Sequence, residues 1–237
     1  MKKQGLERPM SHPALNDIHW MDEFGRKLLA DYRHAFQTFD QAAQATTERI
    51  YEEFRTHDGA PIFALVRIFR FSRREQVPRA WQISAAPEEV PLSLAGSYGD
   101  QPAWRNPQQS QHHKVIPLST QATAMMQEAF RQLGMLPQFN ARSEAVHQLT
   151  SADLYRFYVP EALGSPFIPD QEQFVKPYGI RSVVGMGSQF VSGNAYMLIA
   201  FSHIFISDQQ SRNFTALAPF VATLLAVYDA KVPLWSF

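Results

Sequence analysis

The chain has 237 residues, a formal net charge of zero and no cysteine. Zero net charge removes the general electrostatic case for nucleic acid or an anionic membrane as a partner. The missing cysteine excludes disulfides, thiolate nucleophiles and Cys-containing zinc sites, while 18 Phe supply bulk for a sizeable core.

Residues 1–16 hold Pro9 and Pro13 without a clear period and read as a flexible N-terminal arm. This polar start lacks the apolar core of a signal peptide. Residues 17–57 read as a long N-terminal helix in which one break is admitted. Phe24, Leu28 and Tyr32 recur every four residues, and Phe39, Ala43, Ile50 and Phe54 continue the stripe. Asn16 or Asp17 can cap its start, and His57–Asp58–Gly59 ends it. Pro61–Phe71 is apolar on both faces, as suits a central strand, with Arg67 and Arg70 interrupting it. Pro91–Tyr98 is a second strand, 101–111 a surface loop, and Lys114–Leu118 a short extended piece.

Ala122, Met125, Met126, Ala129, Phe130 and Leu133 fall on one helical face, with Ser119 placed to cap it and Gly134 to end it. Residues 135–153 have room for a short helix, and Leu154–Val159 is extended. Pro160, Pro166, Pro169 and Pro177 then punctuate a long loop. Ser182–Phe190 and Ala195–Ile206 flank the turn residues Ser192–Gly193–Asn194 and predict a β-hairpin. Ser207 and Gln210 have capping-box spacing. Behind them Phe214, Leu217, Ala218, Val221, Leu224, Leu225 and Tyr228 trace one helical face, which Pro219 disturbs at a cost of about 3 kcal/mol. The strongest apolar run, Ala195–Phe201, is too short to span a bilayer. A soluble, cytoplasmic protein without membrane or nucleic-acid partners is expected.

This order predicts an α+β fold, an antiparallel sheet flanked by helices, with the long N-terminal helix beside it. The stretch Gly179-Ile-Arg-Ser-Val-Val-Gly-Met-Gly-Ser-Gln-Phe-Val-Ser-Gly-Asn-Ala-Tyr-Met-Leu-Ile-Ala-Phe-Ser-His-Ile-Phe-Ile-Ser207 resembles the end of a GAF domain, where a Gly-containing strand turns into an apolar strand and then a capped helix. The segment from Tyr158 to Ile180, containing VPEALGSPFIPDQEQFVKPYGI, resembles GAF-like input modules found ahead of kinase, cyclase or phosphatase domains in bacterial regulators. Gly99-Asp-Gln-Pro-Ala-Trp-Arg-Asn and His113-Lys-Val-Ile-Pro-Leu fit the same module. The resemblance implies a GAF-like sensor domain over 58–237, with a sensory role and no fixed ligand. It also implies pairing through the flanking helices, so a homodimer is expected, with a small molecule or a signalling protein as partner.

By the same resemblance, a ligand pocket lies between the sheet and the lid-like loop 160–181. Tyr155, Phe157, Tyr178, Arg181, Met186 and His203 are the residues expected to face it, each equally readable as core or loop packing. Arg181 is the cation singled out for an anionic ligand. Three departures narrow the family reading. Members that reduce free methionine sulfoxide use cysteines, bilins attach through cysteine, and cyclic-nucleotide members carry an Asn-Lys-Phe-Asp-Glu signature that this chain lacks. No cofactor or metal is expected.

Other constellations are weaker. His112–His113 with His203 reads either as a metal site or as a surface pair plus a strand-end histidine. Gly185-Met-Gly187 precedes no helix, so it suits a strand bulge better than a phosphate loop. Arg67, Arg70, Arg73, Arg74 and Arg79 form a basic stretch, readable as a nucleic-acid patch or a solvated strand end. Gly-x-Ser-x-Gly is absent. A non-enzymatic sensor is the leading expectation, with a ligand-free interaction module and a hydrolase or transferase as alternatives.

Overall fold

The computed structural model describes residues 13–71, 74–78, 81, 91–110, 114–117, 124–132, 156–168 and 170–236. The expectations for Tyr155, His112–His113, the Ser119 cap, Gly134 and the 135–153 helix lie outside these residues.

The end of the expected arm is structured. Pro13–Asn16 forms one helical turn, α1, with Leu15 fully buried. Its carbonyl accepts from Asn213 Nδ2 at 2.8 Å, and Asn16 Oδ1 accepts from Gln210 Nε2 at 3.1 Å. Asp17 is the cap of α2 (Ile18–Tyr32), accepting from the amides of His19 and Trp20. The break falls at 33–38, before α3 (Phe39–Glu53). Tyr228 closes it, because its hydroxyl accepts from the Phe36 amide at 3.2 Å and donates to Tyr32 O.

Strands β1 (Phe63–Phe71), β2 (Pro91–Gly99) and β3 (Val115–Pro117) follow, then α4 (Ala124–Gln132), β4 (Arg156–Val159), β5 (Ser182–Gln189) and β6 (Ala195–Ser202). They form a six-stranded sheet in the order β3-β2-β1-β6-β5-β4, with every neighbouring pair antiparallel. The expected hairpin is β5–β6. The Ser207–Gln210 capping box is formed and opens α5 (Asp208–Thr215). The final helix is not continuous. Pro219 stands in the first turn of a separate α6 (Ala218–Asp229), where its missing N–H costs nothing.

Side chains alternate across the sheet and divide the core in two. One face, the helix face, carries Val66, Ile68, Ala95, Val184, Met186, Tyr196, Leu198 and Ala200 under α2, α3, α5 and α6. Phe54 sits in this layer with Trp20, Phe24, Phe63 and Phe214 around it at centroid distances of 5.4 to 5.7 Å. Helix α3 crosses β2 at Gly96, where a Cβ would stand 2.5 Å from Ala43 O. The opposite face, the loop face, carries Leu65, Phe69, Phe71, Leu92, Leu94, Phe157, Val183, Met197, Ile199 and Phe201.

Candidate functional site

The loop face is roofed by the segment between β4 and β5, by α4 and by the 3₁₀ turn Pro102–Trp104. Ala162, Ile168, Val175 and Ile180 are buried against it. Trp104, Phe174 and Tyr178 form an aromatic cluster, with Trp104 and Tyr178 centroids 4.6 Å apart and Phe174 set edge-on to Phe201 at 4.9 Å. Gln171 holds the loop in shape. Its amide oxygen accepts from the Gly164 N–H at 2.8 Å, and its amide nitrogen donates to Ala162 O at 3.0 Å and Ile168 O at 2.8 Å. The sequence points to proline stiffness there; the structure adds this glutamine clasp. The loop's ends are tied by Ala162 N to Arg181 O at 2.8 Å and Arg181 N to Ser202 O at 2.7 Å.

Strand pairing places one row of residues directly across the sheet. Ser97 on β2 pairs with Arg67 on β1, Arg67 with Ile199 on β6, Ile199 with Gly185 on β5, and Gly185 with Phe157 on β4. All five belong to the loop face. Gly185 and, two residues on, Gly187 put no side chain between Ile199, Met197 and the β4 edge.

Arg67 is the exception in this apolar layer. Its Nε is buried without a hydrogen-bond partner, and no carboxylate of the described residues pairs with it. Burial alone pushes its guanidinium down to about 10. Neighbouring Ser97 turns its hydroxyl to Trp104 O, to which it donates at 2.7 Å, and its Oγ does not accept from Arg67 Nε. Arg70, three residues further along β1, faces the other way and is fully buried. It donates twice to Asp229 Oδ1, from Nε at 2.8 Å and Nη2 at 2.6 Å. Ser192 Oγ and Asn194 Nδ2 hold the second oxygen of Asp229. The reading of this stretch as a solvated strand end is therefore corrected at both positions, while Arg73, Arg79 and the Arg74 side chain lie outside the description.

The structure brings only some of the predicted site residues together. Phe157 and Tyr178 share the loop-face cluster. Met186 does not join them: Phe157 pairs with Gly185, so the next residue points to the helix face, where Met186 packs. Arg181 is exposed at the rim, its guanidinium 5.5 Å from the Phe205 ring centroid. His203 lies past the end of β6, with Nε2 2.8 Å from Asp100 Oδ2. The other oxygen of Asp100 accepts from the Tyr51 hydroxyl at 2.7 Å. Burial first, then this hydrogen bond, push the Tyr51 hydroxyl up to about 12. Arg67 enters the sequence analysis only as an interruption of an apolar strand and within a basic stretch, and not among the residues expected at the pocket. Its signal was legible, a lone cation at the alternate position of Leu65-x-Arg67-x-Phe69-x-Phe71.

A separate cleft of about 410 Å³ lies on the helix side of β2, between α3 and the 105–108 turn. Asp40, Gln44, Glu48 and Arg105 line it, together with Ala95, which faces away from Arg67. Gln44 reaches from α3 to the backbone of Ser97, donating to its oxygen and accepting from its N–H at 3.0 Å each. Among the described residues no group of His, Asp and Glu has the geometry to hold a metal ion, and no helix is long and apolar enough to cross a membrane.

No family model and no curated protein matches the sequence. Solved structures do. The free methionine-R-sulfoxide reductase from Neisseria meningitidis, in complex with its substrate, aligns at a TM-score of 0.50 and 12% identity over 90% of this chain and 92% of that one. The GAF domain of an Acinetobacter phosphoenolpyruvate-protein phosphotransferase aligns at 0.46 and 11% over 88% and 92%. The phycoerythrobilin-bound GAF domain of a cyanobacterial phytochrome aligns at 0.47 and 11% over 88% and 96%. At such identities the likeness is one of architecture: the chain has a GAF-like α+β fold, an open six-stranded antiparallel sheet flanked by helices.

Proposed function

We propose that this chain is a sensory or regulatory domain that binds a small molecule between the loop face and the 160–181 loop, without catalysing its conversion. The observation that carries the reading is Arg67. A guanidinium whose Nε is buried with no counter-charge among the described residues opposes folding, and that opposition is relieved when a ligand supplies the anion. Sequence selection for stability alone would favour an apolar side chain at this position. The Gln44 clamp supports the output half of the reading. It joins α3 to the backbone of Ser97, the register partner of Arg67, so a shift in this row is felt on the helix layer. The helices α2, α3 and α6 are the proposed surface for a second copy or a signalling protein.

Native mass spectrometry of the chain purified from its own source tests the reading. A retained small molecule that disappears in Arg67→Met supports it. A bare chain in both supports the ligand-free interaction module instead.

A catalytic reading draws on one specific contact, the 2.8 Å approach of His203 to Asp100, which has the form of a base and its orienting carboxylate. Among the described residues no nucleophile is hydrogen-bonded to His203, and Tyr51 makes the cluster a tie between α3, the end of β2 and the turn after β6. Turnover of fluorogenic esters or phosphate esters that is lost in His203→Ala would establish catalysis. No turnover leaves the binding reading in place.

A further inference from the structure

We propose that the segment after α6 is a releasable strap, in which the Leu234 carbonyl and the Thr38 hydroxyl are alternative caps for the first turn of α3. A helix start leaves amides without intrahelical acceptors, and a side-chain oxygen at the cap position ordinarily takes one of them. Thr38 stands at that position of α3 with the extended backbone of a cap, φ −127° and ψ 163°, yet its side chain accepts from no amide of the helix. Its hydroxyl donates to Asp40 Oδ1 instead. The first two amides, those of Phe39 and Asp40, donate to Leu234 O at 3.1 and 3.3 Å. The third, that of Gln41, has no acceptor among the described residues. A competent cap therefore stands idle while a carbonyl from the far end of the chain takes its place.

The strap is fastened at few points and hinged at an exposed one. Ser236 donates to Asp40 Oδ2 from its N–H at 3.1 Å and from its hydroxyl at 2.6 Å. Trp235 donates from Nε1 to Gln76 O at 2.6 Å and sets its ring edge-on to Trp81 at 5.6 Å. Before these, Tyr228 and Lys231 hold the 33–38 break, with Lys231 Nζ donating to Phe36 O at 3.0 Å. Between the two sets of contacts lie Val232, 93% exposed, and the exposed Pro233. When Leu234–Ser236 lifts about this hinge, the break stays closed and the Thr38 hydroxyl is free to turn from Asp40 to the Gln41 amide, so α3 keeps a capped start. The step also reaches the cleft on α3. Ser236 and Asp40 both line it, so release removes part of one wall and frees Asp40 Oδ2. The exit of α6 and the charge of the cleft are thereby coupled, and Asp229 at the end of α6 ties the same region to Arg70 of β1 and to the hairpin turn. This inference stands apart from the binding reading at Arg67.

Hydrogen exchange read by NMR tests the strap in wild type, in Trp235→Ala, and in Trp235→Ala combined with Thr38→Val or Thr38→Ser. Circular dichroism first establishes that each variant is folded. In wild type the Phe39 amide and the Trp235 indole N–H are expected to share one opening, populated about 100-fold or more above that of the central β6 amides. In Trp235→Ala, exchange at Phe39 should speed up about tenfold or more as the strap loses its anchor. Exchange at Gln41 should slow about threefold, because its amide gains Thr38. Thr38→Val in that background should abolish the slowing, and Thr38→Ser should keep it. If Phe39 and the indole exchange only together with β6, the strap is a permanent part of the fold and the proposal is overturned. If Phe39 speeds up with no slowing at Gln41, or if Thr38→Val leaves the slowing in place, the exchange of caps is overturned. Should Trp235→Ala fail to fold, the wild type decides: a shared opening that leaves the amides of Thr46 and Thr47 as slow as β6 upholds the strap, and one that takes them along overturns it.

Discussion

Replacing Arg67 with methionine should make the ligand-free protein more stable. Methionine is unbranched and close to arginine's methylene stem in length, so it can follow the same path between Leu65, Phe69 and Ile199 without overpacking. The magnitude follows from the guanidinium's environment. Its fall to about 10 from the ordinary guanidinium value corresponds to roughly 3 kcal/mol of opposition to the charged form, at about 1.4 kcal/mol per tenfold change in the proton equilibrium. The side chain keeps partial exposure, which reduces the recoverable part to about 1–2 kcal/mol. For a chain of this size that is a rise in melting temperature of about 2–8 °C. The assay is paired thermal and urea unfolding of purified, ligand-stripped wild type and Arg67→Met. A destabilisation of about 2 kcal/mol or more would refute the reasoning, because it would show that the guanidinium has a partner that holds the fold together.

The same strand supplies the opposite case. Arg70→Met should cost about 3–5 kcal/mol in urea unfolding, because it leaves the buried carboxylate of Asp229 with Ser192 and Asn194 as its remaining side-chain donors among the described residues. Gly96→Ala should cost about 1–3 kcal/mol, since its Cβ would stand 2.5 Å from the carbonyl oxygen of Ala43 and force α3 off β2; the urea midpoint reads this. The Tyr51 hydroxyl, up at about 12 in the folded state, favours folding in its neutral form. That contribution is fully present below the ordinary phenol value of about 10 and is lost as pH rises toward about 12, so Tyr51→Phe should show a smaller loss of stability across that window.

Local chemistry was legible in the sequence and long-range pairing was not. The Ser207–Gln210 capping box and the β5–β6 hairpin depend on neighbours a few residues apart, and both stand where spacing puts them. Pro219 was read as a disturbance within one helix because its position relative to a helix start is set by packing, not by the stripe. The expectation that Met186 and Phe157 face one pocket comes from the resemblance, which carries no strand register. Only the pairing of Phe157 with Gly185 fixes their parity, and one residue of register reverses the face. For Arg67 and Arg70 the strand period already separates the two side chains. What the sequence does not show is that Asp229, 159 residues after Arg70, answers one arginine and leaves the other alone.

The side-chain Nε–Hε resonances of arginine test the central claim most directly. That of Arg67 is identified by its loss in Arg67→Lys, and that of Arg70, bonded to Asp229, serves as the internal reference. On titration of the ligand-stripped protein with the molecule released from the native protein, the Arg67 Hε resonance is expected to move downfield to saturation while the Arg70 resonance stays in place. Binding that leaves the Arg67 resonance unmoved would contradict it.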